Sequence, residues 1–310
     1  RLVAGITRIN RIGACFPAVF NFFATNKYFS SALKRFLGFA RQRQIPLLGK
    51  STLKKWAKKY LRQNNGLGEK ILFFTDEFTN YTDVEIGKKA LMLLVSLGYH
   101  VEIAPVSESG RTWFSKGMLR QAKKISRKNI KKLSAVVSEQ APLVGIEPSA
   151  ILSFRDEIPD IVGEDLRKNA EVVAGCSFTI EEFIVKEYEA GTINAGLFTS
   201  EVKKIKLHGH CHQKALSTTL PTRKMLSIPI NFLVEEIPSG CCGMAGSFGF
   251  EKEHYDLSMK IGGMVLFPAL KKTGDDYIIV APGTSCRQQI KDGTGKTAFH
   301  PVEVLFSSLV

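Results

Sequence analysis

From Glu69 onward, short apolar runs alternate with longer amphipathic stretches. "EKILFFT" (69–75), "VEIAPV" (101–106) and "APLVGIE" (141–147) are too short for helices and read as buried strands. Between the first two, "NYTDVEIGKKALMLLVSLGYH" places Val84, Leu91, Leu94 and Val95 on one helical stripe. Thr82 and Glu85 have capping-box spacing and predict the start of that helix, and Gly98 predicts its end. A basic amphipathic helix is expected next, capped by Ser115, with Met118, Ala122 and Ile125 on one face. "PSAILSFRDE" then opens another. Strands alternating with helices predict an α/β fold with a parallel sheet covered on both faces.

The order repeats. "VKKIKLHGH" (202–210), "INFLVEEIP" (230–238) and "YIIVAPG" (277–283) are strand-like. Helical stretches follow near "QKALSTTL", in "EKEHYDLSMKIGGMVLFPALKK" (251–272) and from "TSCRQQIKDG". Laid over one another, Asp76-Glu77 falls on His210-Cys211, "EIAPVSESG" on "EEIPSGCCG", and "EPSA" on "GTSC", at an offset that stays between 133 and 136 residues. Such agreement at separate points predicts an internal duplication: a helical N-terminal segment (1–68), a first module (69–200) and a second (201–310). Every cysteine of the second module meets another residue in the first: Glu77, Glu108, Ser109 and Ala150.

Composition narrows the class. The chain has 310 residues, 44% hydrophobic and 23% charged, which suits a soluble protein of two ordinary domains. No apolar run approaches the ~20 residues of a membrane helix. "GACFPAVFNFFA" is broken by Pro17 and Asn21, and no A-x-A-like cleavage site follows it. The chain starts at Arg1 rather than Met, which reads as a segment of a longer polypeptide. The net charge of +14 gathers in "KSTLKKWAKKYLR" and "RQAKKISRKNIKKL". These read first as solvated helix faces, then as surfaces for an acidic partner or an anionic membrane; no motif supports nucleic acid. Trp56 and several phenylalanines of residues 1–68 are expected on apolar helix faces.

Six cysteines are too few for a disulfide scaffold and fit a reducing, cytoplasmic setting. Cys15 and Cys176 are isolated and read as small core residues. Cys211, the Cys241-Cys242 pair and Cys286 instead fall just beyond the carboxyl ends of predicted strands, where open α/β sheets bind ligands. Four converging thiolates suit a [4Fe-4S] cluster or a tetrahedral zinc; thiol–disulfide chemistry at the adjacent pair is a further alternative. His208, His210 and His212 alternate, so in an extended strand they share a face opposite Cys211, and they are expected to bond backbone or line the pocket. His212, beside the thiol, is the foremost candidate for more.

"HGHCHQKAL", "CCGMAGSFGFE" and "APGTSC" resemble the CCG domain, the cysteine-rich module found in heterodisulfide reductase and in the iron–sulfur component of glycolate oxidase. "FTDEFTNYTDVEIGKKAL", "SKGML" and "IEPSAILSFRDE" are similar to the first such module of fused FAD-linked oxidases. The resemblance implies two tandem, pseudo-symmetric Rossmann-like modules with parallel sheets. It also implies an electron-transfer region of an oxidoreductase acting on D-2-hydroxy acids (D-lactate, D-2-hydroxyglutarate or glycolate). Cys211, Cys241, Cys242 and Cys286 become cluster ligands, with His210, His212, Gly243 and Gln289 as their neighbours. The family's last cysteine belongs to a C-x-x-C pair, and here "CRQQ" puts Gln289 in the second place, so a four-thiolate cluster is expected rather than a five-thiolate one. The first module is expected to carry no metal. No G-x-G-x-x-G follows a predicted strand, so FAD is expected only on an upstream domain or partner, together with a ferredoxin-like domain. Any membrane contact is expected to be peripheral, at the inner face.

Overall fold

The computed structural model describes residues 4–310. Four strands form one parallel sheet: β1 (Lys70–Phe73), β2 (His100–Ile103), β3 (Leu143–Gly145) and β4 (Ser177–Thr179), in the order β2-β1-β3-β4. Three more form a second: β5 (Lys203–Leu207), β6 (Phe232–Glu236) and β7 (Tyr277–Val280), in the order β6-β5-β7, again all parallel. The expected α/β class with parallel sheets is what the chain adopts. β4 escaped the pattern reading because three residues are too few to show a period.

The two sheets match in register as well as order. Phe73 lies opposite Ile103 and Val144, and Leu207 lies opposite Glu236 and Val280. Those two triplets are the ones the offset of 133 to 136 residues superposes. Each central strand therefore delivers its following loop to the same edge, between the loops of its two neighbours.

Several boundaries differ from expectation. The helix Val84–Ser96 is entered through Asp83 without a side-chain cap, and the Thr82 hydroxyl donates instead to the Phe78 carbonyl at 3.0 Å. The basic helix runs Leu119–Leu133; Ser115 closes the short helix Arg111–Phe114, and Gly117, at φ +64°, turns the chain between them. The long helix expected over 251–272 divides into Tyr255–Met264 and Leu266–Lys271. Pro268 explains the break, since it offers no N–H and its ring crowds the carbonyl four residues back.

The largest apolar core draws on both halves. Leu53, Phe73, Leu91, Val144 and Ile184 pack with Met225, Ile228, Val302 and Leu305. Around it, the basic helices keep their Lys and Arg outward: Leu53 and Ala57 are buried while Lys55, Lys58, Lys59 and Arg62 face solvent. The N-terminal helices Ile6–Gly13, Pro17–Thr25 and Lys27–Leu37 behave otherwise. Phe16, Phe22, Phe29 and Phe36 are exposed, so these aromatic side chains look outward. Cys15 is exposed too, against the expectation of a core residue, because it lies in the turn between the helices Ile6–Gly13 and Pro17–Thr25; Cys176 is buried as expected. No helix among the described residues is long and apolar enough to cross a membrane.

Candidate metal centre

Three strand ends converge. β5 stops at Leu207, and Cys211 opens the helix Cys211–Leu216. Beyond β6 the chain runs through Ser239 to Cys241 and Cys242. Beyond β7, Gly283 leads into the helix Thr284–Thr294, whose first turn carries Cys286. The four sulfurs form one chain of neighbours, all free thiols: Cys211 beside Cys241, Cys241 beside Cys242, and Cys242 beside Cys286. Cys242 and Cys286 are buried, whereas Cys211 and Cys241 are partly exposed at the mouth.

Protons are shared unevenly along that chain. Cys241 is pulled down because Cys211 and Cys242 donate to it, and Cys286 is pulled down because Cys242 donates to it, in both cases against burial. Cys211 is pushed up by donating to Cys241 and by burial, and Cys242 by donating to Cys241 and Cys286 and by burial. Four anions cannot coexist in so small a buried volume without a cation. The donor chemistry thus fits a metal group, which would take all four as thiolates and release their protons.

The adjacent pair is held by glycine geometry. Gly243 has φ +92°, and a Cβ there would lie 2.3 Å from the Ser258 carbonyl oxygen. Its N–H donates to Cys241 Sγ at 3.3 Å. Behind it, Gln289 Nε2 donates to the Ser258 carbonyl at 3.0 Å, so Gln289 braces the turn. Arg43 completes the brace. Only 1% exposed, it donates to the Gly249 carbonyl at 2.7 Å, to Asp292 at 2.6 Å and to the Ser258 hydroxyl at 2.9 Å. Sequence reasoning left Arg43 aside: it stands in a polar stretch without periodicity, more than 200 residues from its partners.

The three histidines do not alternate along one strand face, because the chain enters a helix at Cys211; the His210 and His212 rings stack at 6.4 Å while His208 lies apart in contact with Ser239. His208 is fully buried, with Nδ1 at 2.7 Å from the Ser239 hydroxyl and Nε2 without a partner. One of its ring nitrogens and the sulfurs of Cys242 and Cys286 all lie within 4.8 Å of one another. His210 caps the following helix through Nδ1, which accepts the His212 N–H at 3.2 Å, while its Nε2 faces Glu147 at 4.0 Å. His212 lies beside Asp156 and Glu157 of the first half, and burial, with Arg111 and His210 nearby, lowers it to about 4. Sequence reasoning gave His208 only a pocket-lining role and singled out His212 instead. The signal for His208 was its place one residue past β5, in line with the sheet's carboxyl edge.

In the first half the corresponding positions hold no thiols. Glu77 stands where Cys211 does and accepts both the N–H and the hydroxyl of Ser109, each at 2.8 Å. Ala150 is buried where Cys286 would be. The first half still shapes the site. Glu147 accepts the Thr284 N–H at 2.8 Å and so caps the helix bearing Cys286, and Asp83 accepts from Arg287 at 2.6 Å. Burial opposes the Glu147 charge, but His210, Ser149, Thr284 and Arg287 outweigh it and hold the carboxyl below its ordinary range.

Comparison with known proteins finds similarity to redox enzymes. D-2-hydroxyglutarate dehydrogenase of Pantoea ananatis is 28% identical over 316 residues, covering 98% of this chain and 30% of that protein. Its Escherichia coli counterpart is 25% identical with the same coverage. One component of the anaerobic glycerol-3-phosphate dehydrogenase of E. coli is 24% identical over 277 residues, covering 86% of this chain and 66% of that component. These relatives are dehydrogenases or part of one. The chain is similar to an oxidoreductase component and spans about 30% of the length of the D-2-hydroxyglutarate dehydrogenases it matches. No protein-family profile matches it.

Proposed function

We propose that the chain is the iron–sulfur electron-transfer region of an FAD-linked dehydrogenase of D-2-hydroxy acids, built from two CCG modules of which only the second, 201–310, holds a [4Fe-4S] cluster. The supporting observation is the contact chain of Cys211, Cys241, Cys242 and Cys286. It occurs in a sequence that aligns over 98% of its length with D-2-hydroxyglutarate dehydrogenase. A cluster bound there supplies one-electron transfer at a potential set by ligands, hydrogen bonds and burial.

The protein's own residues do the rest. The four cysteines give up protons and bind. The Gly243 N–H, already directed at Cys241 Sγ, withdraws charge from that thiolate. Gln289 and Arg43 keep the turn fixed, and the wall of Ile237, Met244, Leu266 and Ile290 excludes water. The hydroxy acid and FAD belong elsewhere, on flavin and ferredoxin-like regions of the same polypeptide or complex; most of the length of the D-2-hydroxyglutarate dehydrogenases lies outside the match. Exposed Phe16, Phe22 and Phe36 offer an apolar surface for such a partner. Free thiols suit a reducing, cytoplasmic compartment.

The test is anaerobic reconstitution with ferrous iron and sulfide. The expected product is brown, carries about four irons and four sulfides per chain, as a [4Fe-4S] centre requires, and gives a paramagnetic signal on reduction. Cys242→Ser and Cys286→Ser should lose it, whereas Cys15→Ser and Cys176→Ser should keep it. A second reading, a structural zinc site, is favoured by the tight spacing of His208, Cys242 and Cys286. Uptake of one zinc per chain with no iron–sulfur formation would decide for zinc.

A further inference from the structure

His208 stands out among the buried polar groups. It is 0% exposed, and its Nε2 has no hydrogen-bond partner. A buried nitrogen left without a partner is costly, so such a group calls for an explanation. Its other nitrogen is well occupied. The Ser239 hydroxyl lies 2.7 Å from Nδ1 and itself donates to the Ile237 carbonyl at 3.5 Å. In the tautomer in which Nδ1–H donates to that hydroxyl, Nε2 carries a free lone pair.

The imidazole sits beside two sulfurs. A ring nitrogen of His208 and the Sγ atoms of Cys242 and Cys286 are mutually within 4.8 Å, and all three residues are buried. Ligand atoms around one tetrahedral metal are roughly 3.3–3.8 Å apart, given bonds of about 2.0–2.3 Å. A small closure of the three donors reaches that spacing. Without a metal, a proton shared between His208 and Cys286 satisfies this pair, and a bound cation would take that proton's place. The hydrogen bond from Nδ1–H to a second residue is also the arrangement that orients metal-binding imidazoles and raises their basicity.

We propose that His208 binds the metal centre directly through Nε2, with Ser239 as its positioning residue, making a mixed nitrogen–sulfur donor set in place of one made of cysteine alone. The inference rests on the metal-centre reading above and adds a ligand to it. Cys242, Cys286 and His208 form the inner, buried donors, and Cys211 and Cys241 the outer, partly exposed ones. Imidazole is a neutral donor, so a centre held in part by His208 is less negative and easier to reduce than one held by thiolates alone.

The experiment uses the 310-residue chain, unlabelled and with ¹⁵N-histidine, reconstituted anaerobically with ferrous iron and sulfide. Pulsed paramagnetic resonance of the reduced centre should show a directly bound nitrogen whose coupling changes with the isotope. This arm needs no variant and so does not depend on a variant folding. Ser239→Ala should keep the iron while altering that coupling. His208→Ala, where it folds, should lose the coupling and lower the reduction potential. An iron–sulfur centre with no histidine nitrogen coupling overturns the inference and leaves the iron–sulfur reading standing. If no iron–sulfur centre forms, cobalt(II) is the probe. A cobalt spectrum with mixed nitrogen and sulfur ligation that His208→Ala converts to sulfur-only supports His208 and overturns the iron–sulfur reading. Sulfur-only ligation in the unaltered chain, or no metal uptake at all, overturns His208.

Discussion

At the scale of single residues, the site depends on groups that touch no metal. Gly243 is one. Its φ of +92° and the carbonyl 2.3 Å from any added Cβ leave no room for a side chain. Gly243→Ala should cost on the order of 3 kcal/mol and displace the Cys241 sulfur. Denaturant unfolding and metal content check the two effects separately. Arg43 is another. Removing it strands the Asp292 carboxylate beside the Gly249 and Ser258 contacts it leaves behind. Arg43→Ala should destabilise by about 3–5 kcal/mol, the usual cost of breaking a buried pair, read as a lower unfolding midpoint.

Asp76 gives a pH signature at the same scale. Burial, then the charges of Glu77 and Glu147, raise it to about 8 from 3.8, although its bonds from Thr79 oppose the shift. An acid raised in the fold contributes its full stability below its unfolded value. Above that value the unfolded chain releases a proton that the fold retains, and stability falls until the folded value is passed. Unfolding midpoints should therefore decline between pH 4 and pH 8, with Glu77, raised to about 6 mainly by burial, acting in the same sense over the lower part of the range. Asp76→Asn should flatten the decline. An unchanged slope in that variant would assign it to other groups.

At the scale of elements, the helix Thr284–Thr294 joins the halves. Its first N–H is capped by Glu147 and its first turn is tied to Asp83 through Arg287, so residues without thiols position Cys286. Hydrogen bonds to charged groups contribute about 1.5–3 kcal/mol. Asp83→Ala should lower stability by about that much and loosen metal retention, measured as faster loss of bound metal to a chelator. Cys242→Ser should instead remove metal without comparable loss of fold. Element order was readable beforehand because apolar runs of four or five residues separated by amphipathic stretches admit few folds. Helix starts were read less well. The Thr82–Glu85 spacing met a loop in which Thr82 turns back to Phe78, and a local hydrogen bond displaced the predicted cap.

At the scale of the whole molecule, the halves are not independent. Met225, Ile228, Val302 and Leu305 complete the core around Leu91 and Ile184, and the helix Pro301–Phe306 packs on Val84–Ser96. A fragment of residues 69–200 would expose that surface, and it should lack the near-ultraviolet circular dichroism of the full chain while retaining helical signal. A fragment with native-like tertiary signal would show that the first half closes its own core.

The division between sequence and fold follows from the range of the forces involved. Periodicity and punctuation are local, so the sequence alone determined the alternating elements, the parallel class, the repeat offset and the loops that carry Cys211, Cys241, Cys242 and Cys286. Those loops meet because parallel strands deliver their carboxyl ends to one edge. Everything set by contact across distance waited for the tertiary structure. Arg43 reached its partners more than 200 residues away, Glu147 capped a helix of the other half, and His208 parted from the other two histidines once the chain entered the helix at Cys211. Side-chain direction after a strand end depends on the turn that follows, and burial of a charge depends on what is folded over it. Neither is encoded in spacing.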